Sequence, residues 1–344
     1  MNICPIYFKD FIFNRRVIKI LEPYTKYTLD NIILHGPANI GKKTIIKAFI
    51  NHLHGRDVSS ETTTCSFEIP INSNKLTINY SQSRYHIEIN LYEYGYNDKN
   101  VIILFLKHIL EYHNIVDAFP KLVVINHAEK ISRSGQLSLR YALDKYYKNG
   151  KFILCTENLD IVDSSLRSRL TEIRVSRPKK DELIRYIRCK LKEKKKRCIK
   201  KNIHLLIENS HNNLYKLNIL LEHYIETREI ASGLFSNSQI VDTFIPYIYE
   251  KTLDSMVHIK NEIYISLLKN IKPSEILTII SAYFTQSFFP NEFIYEIIKY
   301  SAELDTMRPK IMYDIYMLEC FVLKIKDLLN TYPNIRCETK HIKS

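Results

Sequence analysis

The chain has 344 residues, 45% of them apolar, which is long enough for two or three domains with a buried core. Its formal net charge of +13 favours a polyanionic partner such as nucleic acid over an acidic protein or a neutral metabolite. The N-terminus lacks the apolar core and cleavage site of a signal peptide, and no apolar run approaches the ~18 residues that span a membrane, so the expectation is a soluble intracellular protein. The seven cysteines (Cys4, Cys65, Cys155, Cys189, Cys198, Cys320, Cys337) include no C-x-x-C pair and are read as thiols in a reducing compartment, with no metal site expected. Tyr, Ile, Asn and Lys are abundant and Gly is rare at seven, a bias expected of AT-rich coding sequence, so the glycines carry more information than the asparagines.

In chain order, the apolar β-rich runs are 31–36, 84–91, 121–127 and 151–157, and helical patterns fill 44–55, 99–114 and 134–150. This alternation predicts an α/β fold with a mostly parallel sheet covered by helices on both faces. Segments 65–70 and 75–81 alternate as a hairpin would and read as an insertion. After 174–180 the pattern turns helical, and from about 238 a second helical series is broken at Pro273, Pro290 and Pro309. Three parts are expected: 1–176 as a nucleotide-binding-type domain, 177–232 as a small helical lid and 233–344 as an all-α C-terminal domain.

Between the first strand and helix stands Gly36-Pro37-Ala38-Asn39-Ile40-Gly41-Lys42-Lys43-Thr44, the spacing of a phosphate-binding loop. Backbone N–H groups from Gly41 to Thr44 suit phosphate oxygens, and Lys42 suits the β- and γ-phosphates. Lys43 stands where a Ser or Thr would ligate magnesium, and Thr44 reaches that place only by a shift of register. A second anomaly lies at the end of 121–127. Nucleotide hydrolases carry there an Asp for the hydrated metal and a Glu for the attacking water, and this chain has Asn126 and His127, with Glu129 two residues on. Magnesium is therefore doubtful as a cofactor.

These motifs, with the Tyr-His-Ile-Glu segment at 85–88, the helix SGQLSLRYALDKYYKN, the segment LRSRLTEIRV and the helix NNLYKLNILLE, resemble the small subunits of replication factor C. That family is the clamp loader of the AAA+ superfamily, and the likeness points to the subunit numbered 3 in animals and 5 in budding yeast. The resemblance runs from about 30 to 225 and continues weakly beyond. It implies an AAA+ P-loop domain, a helical lid and an oligomerising collar. It also implies membership of a heteropentamer that loads a sliding clamp onto primer-template DNA during replication and repair, with ATP held between subunits.

Carried over residue by residue, the resemblance makes Arg169, beside Ser168, an arginine finger acting in trans on a neighbour's nucleotide; Leu170 replaces the family's Cys. The first-sensor position falls at Thr156, with Asn158 as the alternative, and the second-sensor Arg aligns with Tyr215, beside Lys216. With metal, water activator and sensors all weakened, the chain is expected to hold ATP or ADP structurally and not to be an active ATPase by itself. Arg133, Arg140, Lys145 and Lys148 belong to the region that faces DNA in the family, and the eight-residue spacing of Arg140 and Lys148 places them on one helix face. The basic run 190–201 reads as a solvated face. The rival readings are another AAA+ DNA-replication protein, such as a helicase loader, and a self-sufficient P-loop ATPase or nucleotide kinase. A cellular eukaryotic source would place the protein in the nucleus, a large DNA virus in a replication factory.

Overall fold

The computed structural model describes residues 5–58, 61–71, 74–111, 120–196, 199–210, 213–228, 237–250, 254–269, 271–286, 289–307 and 314–331. Two compact units divide the chain, Met1–Ile230 and Ala231–Ser344. The expected boundary between nucleotide-type domain and lid falls inside the first of them.

The first unit is built on a seven-stranded sheet. Its strands are β1 (Ile32–His35), β2 (Thr63–Ile71), β3 (Asn74–Gln82), β4 (His86–Ile89), β5 (Lys121–Ile125), β6 (Gly150–Thr156) and β7 (Thr171–Arg174), in spatial order β2-β3-β4-β5-β6-β1-β7. From β4 to β7 all pairings are parallel. Buried on both faces, β1, β5 and β6 read as unbroken apolar runs. The expected hairpin, β2–β3, pairs along nine residue positions and joins the sheet where Ser81 and Gln82 meet Glu88 and Ile87, so it widens the main sheet. Strand β7 was not among the predicted runs; only its Ile173 is buried.

Helices α1 (Arg15–Leu21) and α2 (Lys42–His54) bury Leu21, Ile45, Ala48 and Phe49 in a core shared with β1. Helices α3 (Asp98–Glu111), α4 (Arg133–Lys145) and the short α5 (Ser164–Arg167) contribute Val101, Phe105, Leu139, Leu143 and Leu166 to a second core that includes Phe152. Each fully buried Phe of this kind contributes about 1.5–3 kcal/mol. Helix α4 stops at Lys145, short of the predicted 150, because Tyr146 leaves helical geometry at φ −104°, ψ 22° and the chain turns through Asn149 into β6. Residues 112–114, predicted as the end of the preceding helix, lie outside the described residues.

Helices α6 (Lys180–Glu193), α7 (Lys200–Asn209) and α8 (Leu214–Thr227), in the stretch expected to form a lid, complete the first unit. Phe13 meets Tyr186 edge-on at 5.6 Å, and the Tyr186 hydroxyl donates to Asn218 Oδ1 at 2.8 Å, tying α6 both to the N-terminal segment and to α8. Within the basic run, Lys192, Lys194 and Lys195 are exposed as expected, but Leu191 is buried and Lys196 donates to the Ile225 carbonyl, so part of the run is structural. Arg197 and Cys198 lie outside the described residues.

The second unit contains α9 (Asn237–Tyr249), α10 (Asp254–Leu268), α11 (Pro273–Gln286), α12 (Asn291–Met307) and α13 (Asp314–Thr331). Phe244, Phe284, Phe293 and Phe321, all at 0% exposure, form its centre. Pro273 opens α11, where its missing N–H costs nothing, and Pro290 precedes α12. Pro309 lies outside the described residues. No helix among the described residues is long and apolar enough to cross a membrane. Cys65, Cys155, Cys189 and Cys320 are free thiols; the other cysteines fall outside the described residues.

Candidate nucleotide site and arginine edge

Strand β1 delivers Gly36 to the carboxyl end of the sheet, where Gly36 N–H donates to the Thr156 carbonyl at 3.3 Å. A Cβ at Gly36 would lie 2.1 Å from the Val175 carbonyl oxygen, and φ is +152°, so only glycine fits between the two chain segments. Asn39 (φ 59°) and Gly41 (φ 89°) take left-handed conformations that curl the loop into the start of α2. Glycine at the N-cap presents no side chain to the first-turn N–H groups, and the helix end adds partial positive charge. The loop therefore fits a phosphate.

Lys42 is 8% exposed, and its Nζ donates to the carbonyls of Gly36 at 2.6 Å and Pro37 at 2.7 Å. The ammonium group thus closes the loop on itself. Lys43 is exposed and Thr44 half-buried in the first turn of α2. With an ammonium at the metal-binding register, the loop side of the site does not suit magnesium.

The exit of β5 is equally altered. Asn126, 1% exposed, donates from Nδ2 to Glu88 Oε1 at 2.7 Å, while its Oδ1 has no hydrogen-bond partner among the described residues. The Glu88 carboxylate on the adjacent strand is thus bonded to the Asn126 amide through Oε1. His127 is left-handed (φ 53°), takes the edge of Tyr92 at 5.3 Å and places Nδ1 3.5 Å from Glu129 Oε1.

Glu129 accepts from the Glu157 N–H at 3.2 Å. Burial acts to raise its carboxyl, but hydrogen bonds from His127 and from backbone N–H groups outweigh burial and hold it below the usual glutamate range. His127, Glu129 and Glu157 bring ligand atoms within 4.8 Å of one another, a group with metal-ligand spacing where none was expected. Glu129 is thus engaged within the chain on both oxygens, by His127 after β5 and by the backbone of Glu157 after β6. Nearby, burial pushes the Cys155 thiol up to about 11, in the combined field of Lys42, Glu129, Lys43 and Glu157.

Both first-sensor candidates are committed locally: Thr156 Oγ1 donates to the Asn158 carbonyl at 2.9 Å, and Asn158 Oδ1 accepts from Asp160 N–H at 3.0 Å. At the start of α8, Asn213 Oδ1 caps the N–H groups of Tyr215 and Lys216 at 3.0 and 3.3 Å. The Tyr215 ring is exposed and Lys216 is buried.

A different arrangement occupies the edge formed by α4 and α5. Asp163 Oδ1 caps α5 by accepting from Ser165 N–H at 2.8 Å, and Ser168 Oγ donates to the Ser165 carbonyl at 3.0 Å. Leu170 is buried and anchors the chain before β7, leaving Arg169 at the surface. Its Nε donates to Asp144 Oδ1 at 2.7 Å and its Nη1 to the Ser165 carbonyl at 2.8 Å. The neighbouring Arg167 pairs instead with Glu172 at 2.9 Å.

Helix α4 is capped by Ser132, whose hydroxyl accepts from Gly135 N–H and donates to the buried Asp98 at 2.8 Å. Arg133 and Lys145 are exposed and Arg140 half-buried, but Lys145 is paired with Glu111 at 3.5 Å. Lys148 does not share a helix face with Arg140: the helix has ended, and Lys148 lies over the Tyr147 ring at 5.5 Å. Leu137 (43%) and Tyr141 (63%) are exposed between the cations, a feature that the i, i+4 spacing of two large apolar residues outside the buried stripe could have signalled.

No family model matches the chain. It is similar to replication factor C subunit 5 of Oryza sativa, 27% identical over 164 residues that make up 46% of each chain. It is also similar to a replication factor C small-subunit relative of Acanthamoeba polyphaga mimivirus, 28% identical over 287 residues, 79% of this chain and 75% of that one. The chain spans about half the length of several curated relatives that it matches. Among solved structures, a RuvB variant from Thermotoga maritima aligns over 92% of this chain and 91% of its own, with a TM-score of 0.50 at 13% identity. That likeness concerns the fold alone.

Proposed function

We propose that this chain, a homologue of the replication factor C small subunits, is a subunit of a clamp loader that places a sliding clamp on primer-template DNA. It holds ATP or ADP at Gly36–Thr44 as a structural element, does not turn it over, and lends Arg169 to the nucleotide of a neighbouring subunit. The observation that carries this reading is the Asn126–Glu88 hydrogen bond. It puts a neutral amide where hydrolysis needs a metal-holding carboxylate, and it engages Oε1 of Glu88. His127 beside it puts an imidazole where a water-activating glutamate is usual. By contrast, Arg169 is a permanent charge at a surface edge, suited to stabilising charge that develops on a γ-phosphate from outside.

The partners follow from the same reading: the other subunits of a heteropentamer, a sliding clamp and DNA. Arg133, Arg140 and Lys145 on α4 support sequence-independent contact with a phosphate backbone. Val257, Tyr264 and Leu268, exposed along α10, support association through a helical collar. A replication role places the protein in the nucleus, or in a viral replication factory if its source is viral like the mimivirus relative.

Purified chain incubated with labelled ATP tests the central claim. No turnover above a mock preparation is expected, while nucleotide is retained by the wild type and lost from Lys42→Ala. Turnover above that of the mock preparation which disappears in Lys42→Ala would falsify the non-hydrolysing site.

A further inference from the structure

Arg169 is not a loose surface side chain. Asp144 Oδ1 takes its Nε at 2.7 Å, the Ser165 carbonyl takes its Nη1 at 2.8 Å, and Ser168 Oγ lies 3.4 Å from the same Nη1. Nη2 makes no hydrogen bond among the described residues, and the side chain is 35% exposed. One flank of the guanidinium is thus held by the chain's own groups while Nη2 remains for an outside acceptor.

We propose that Asp144 is a positioning residue for Arg169: it grips the guanidinium through Nε, so that the remaining N–H groups are presented to the neighbouring subunit's nucleotide. This rests on the reading of Arg169 as a finger acting in trans.

The supports of the grip are themselves fixed. Asp144 stands next to the last residue of α4, beside the buried Ala142 and Leu143. Ser165 stands in α5, whose cap Asp163 is bound through its own N–H to Gln136 Oε1 of α4 at 2.7 Å. The two helices carrying the contacts are therefore joined by hydrogen bonds independent of Arg169. An arginine held in this way surrenders little rotational freedom when a phosphate arrives, and the planar fork keeps donors for it. The hydrogen bond from Arg169 holds the Asp144 carboxyl below the usual aspartate range, with Arg140 adding to the effect, so the grip persists at neutral pH.

Asp144 is also placed between two kinds of arginine. Arg140, one turn earlier on α4, belongs to the set read as facing DNA, and Arg169 to the set read as facing nucleotide. A purely decorative surface ion pair would contribute little to either.

The test uses the reconstituted assembly containing this chain as wild type, Arg169→Ala, Asp144→Ala, Asp144→Asn or Asp144→Glu, with ATP turnover read as kcat and KM and each subunit's melting temperature as a folding control. Arg169→Ala is expected to lower kcat at the neighbouring site by about 10³-fold. Asp144→Ala is expected to lower kcat by roughly tenfold with KM for ATP nearly unchanged, since the group acts on placement in the transition state. Asp144→Glu should restore most of the loss and Asp144→Asn only part. If Asp144→Ala leaves kcat unchanged or raises it while Arg169→Ala is crippled, the positioning role is overturned and the finger stands. If Arg169→Ala itself has no effect, the finger reading falls and this proposal with it.

Discussion

The exit of β5 and the edge formed by α4 and α5 use similar groups to opposite ends. At the first, Asn126 is joined to Glu88 and His127 to Glu129, and Lys42 closes onto its own loop carbonyls. At the second, Arg169 is held on one flank and keeps donors for the outside. The difference lies in where the hydrogen bonds go: at the first place they run between groups of the chain, at the second they leave Nη2 of Arg169 without one among the described residues. Satisfying polar groups internally immobilises them, whereas satisfying them on one side only aims them.

The largest test of this contrast is Arg169→Ala, with its expected drop of about 10³-fold in turnover at the adjoining site and no change in the nucleotide content of this chain. Equal losses at both would remove the distinction. Next in size is Asn126→Asp. It sets a second carboxylate against Glu88 across a contact now 2.7 Å long and is expected to cost about 1–3 kcal/mol in urea melts. The like-charge pair raises a folded-state pKa above its unfolded value. The relative stability is therefore kept at low pH and lost as pH rises through the raised pKa, so the variant should compare worse with wild type at pH 8 than at pH 4. The opposite trend would mean that the site accommodates a metal-binding acid. Arg140→Ala is expected to weaken duplex binding by the assembly several-fold for every sequence and to reduce the salt slope by about one unit, whereas Lys148→Ala, outside the helix, should have the smaller effect.

The smallest effect concerns Glu129. Its folded pKa is depressed, so its stabilisation is present above the unfolded value and is lost as pH falls through the folded one. Glu129→Gln should therefore cost on the order of 1 kcal/mol at pH 7 and almost nothing once both states are protonated. A difference that persists at the acid end would assign the loss to shape rather than charge.

How much of this was legible in the sequence depended on whether the physics was local. Strands β1, β4, β5 and β6 were readable because burial on both faces leaves few polar interruptions, and the loop from Gly36 to Thr44 because its glycines and lysine are contiguous. Strand β7 was not, since at the sheet margin only Ile173 needs to be apolar. The reach of α4 was overestimated because Tyr146, Tyr147 and Lys148 continue an amphipathic pattern that the turn at Asn149 cuts off.

The site contacts that mattered most were invisible for a different reason. Glu88 and Asn126 are 38 residues apart and Asp144 and Arg169 are 25 apart, and only sheet register and helix packing bring them together. Asn126 was recognisable as a loss; that Glu88 was its partner was not.

The hairpin β2–β3 has a consequence for how the molecule behaves in a crowded solution. Without it, the parallel sheet would end at β4, a short strand with His86, Ile87 and Ile89 buried, and its open backbone would invite another chain to pair. The hairpin moves that frontier to β2, where Thr63, Thr64, Ser66 and Glu68 are exposed and Pro70 has no N–H to give. An edge of this kind, exposed, polar and carrying a proline, is a poor template for pairing with another chain.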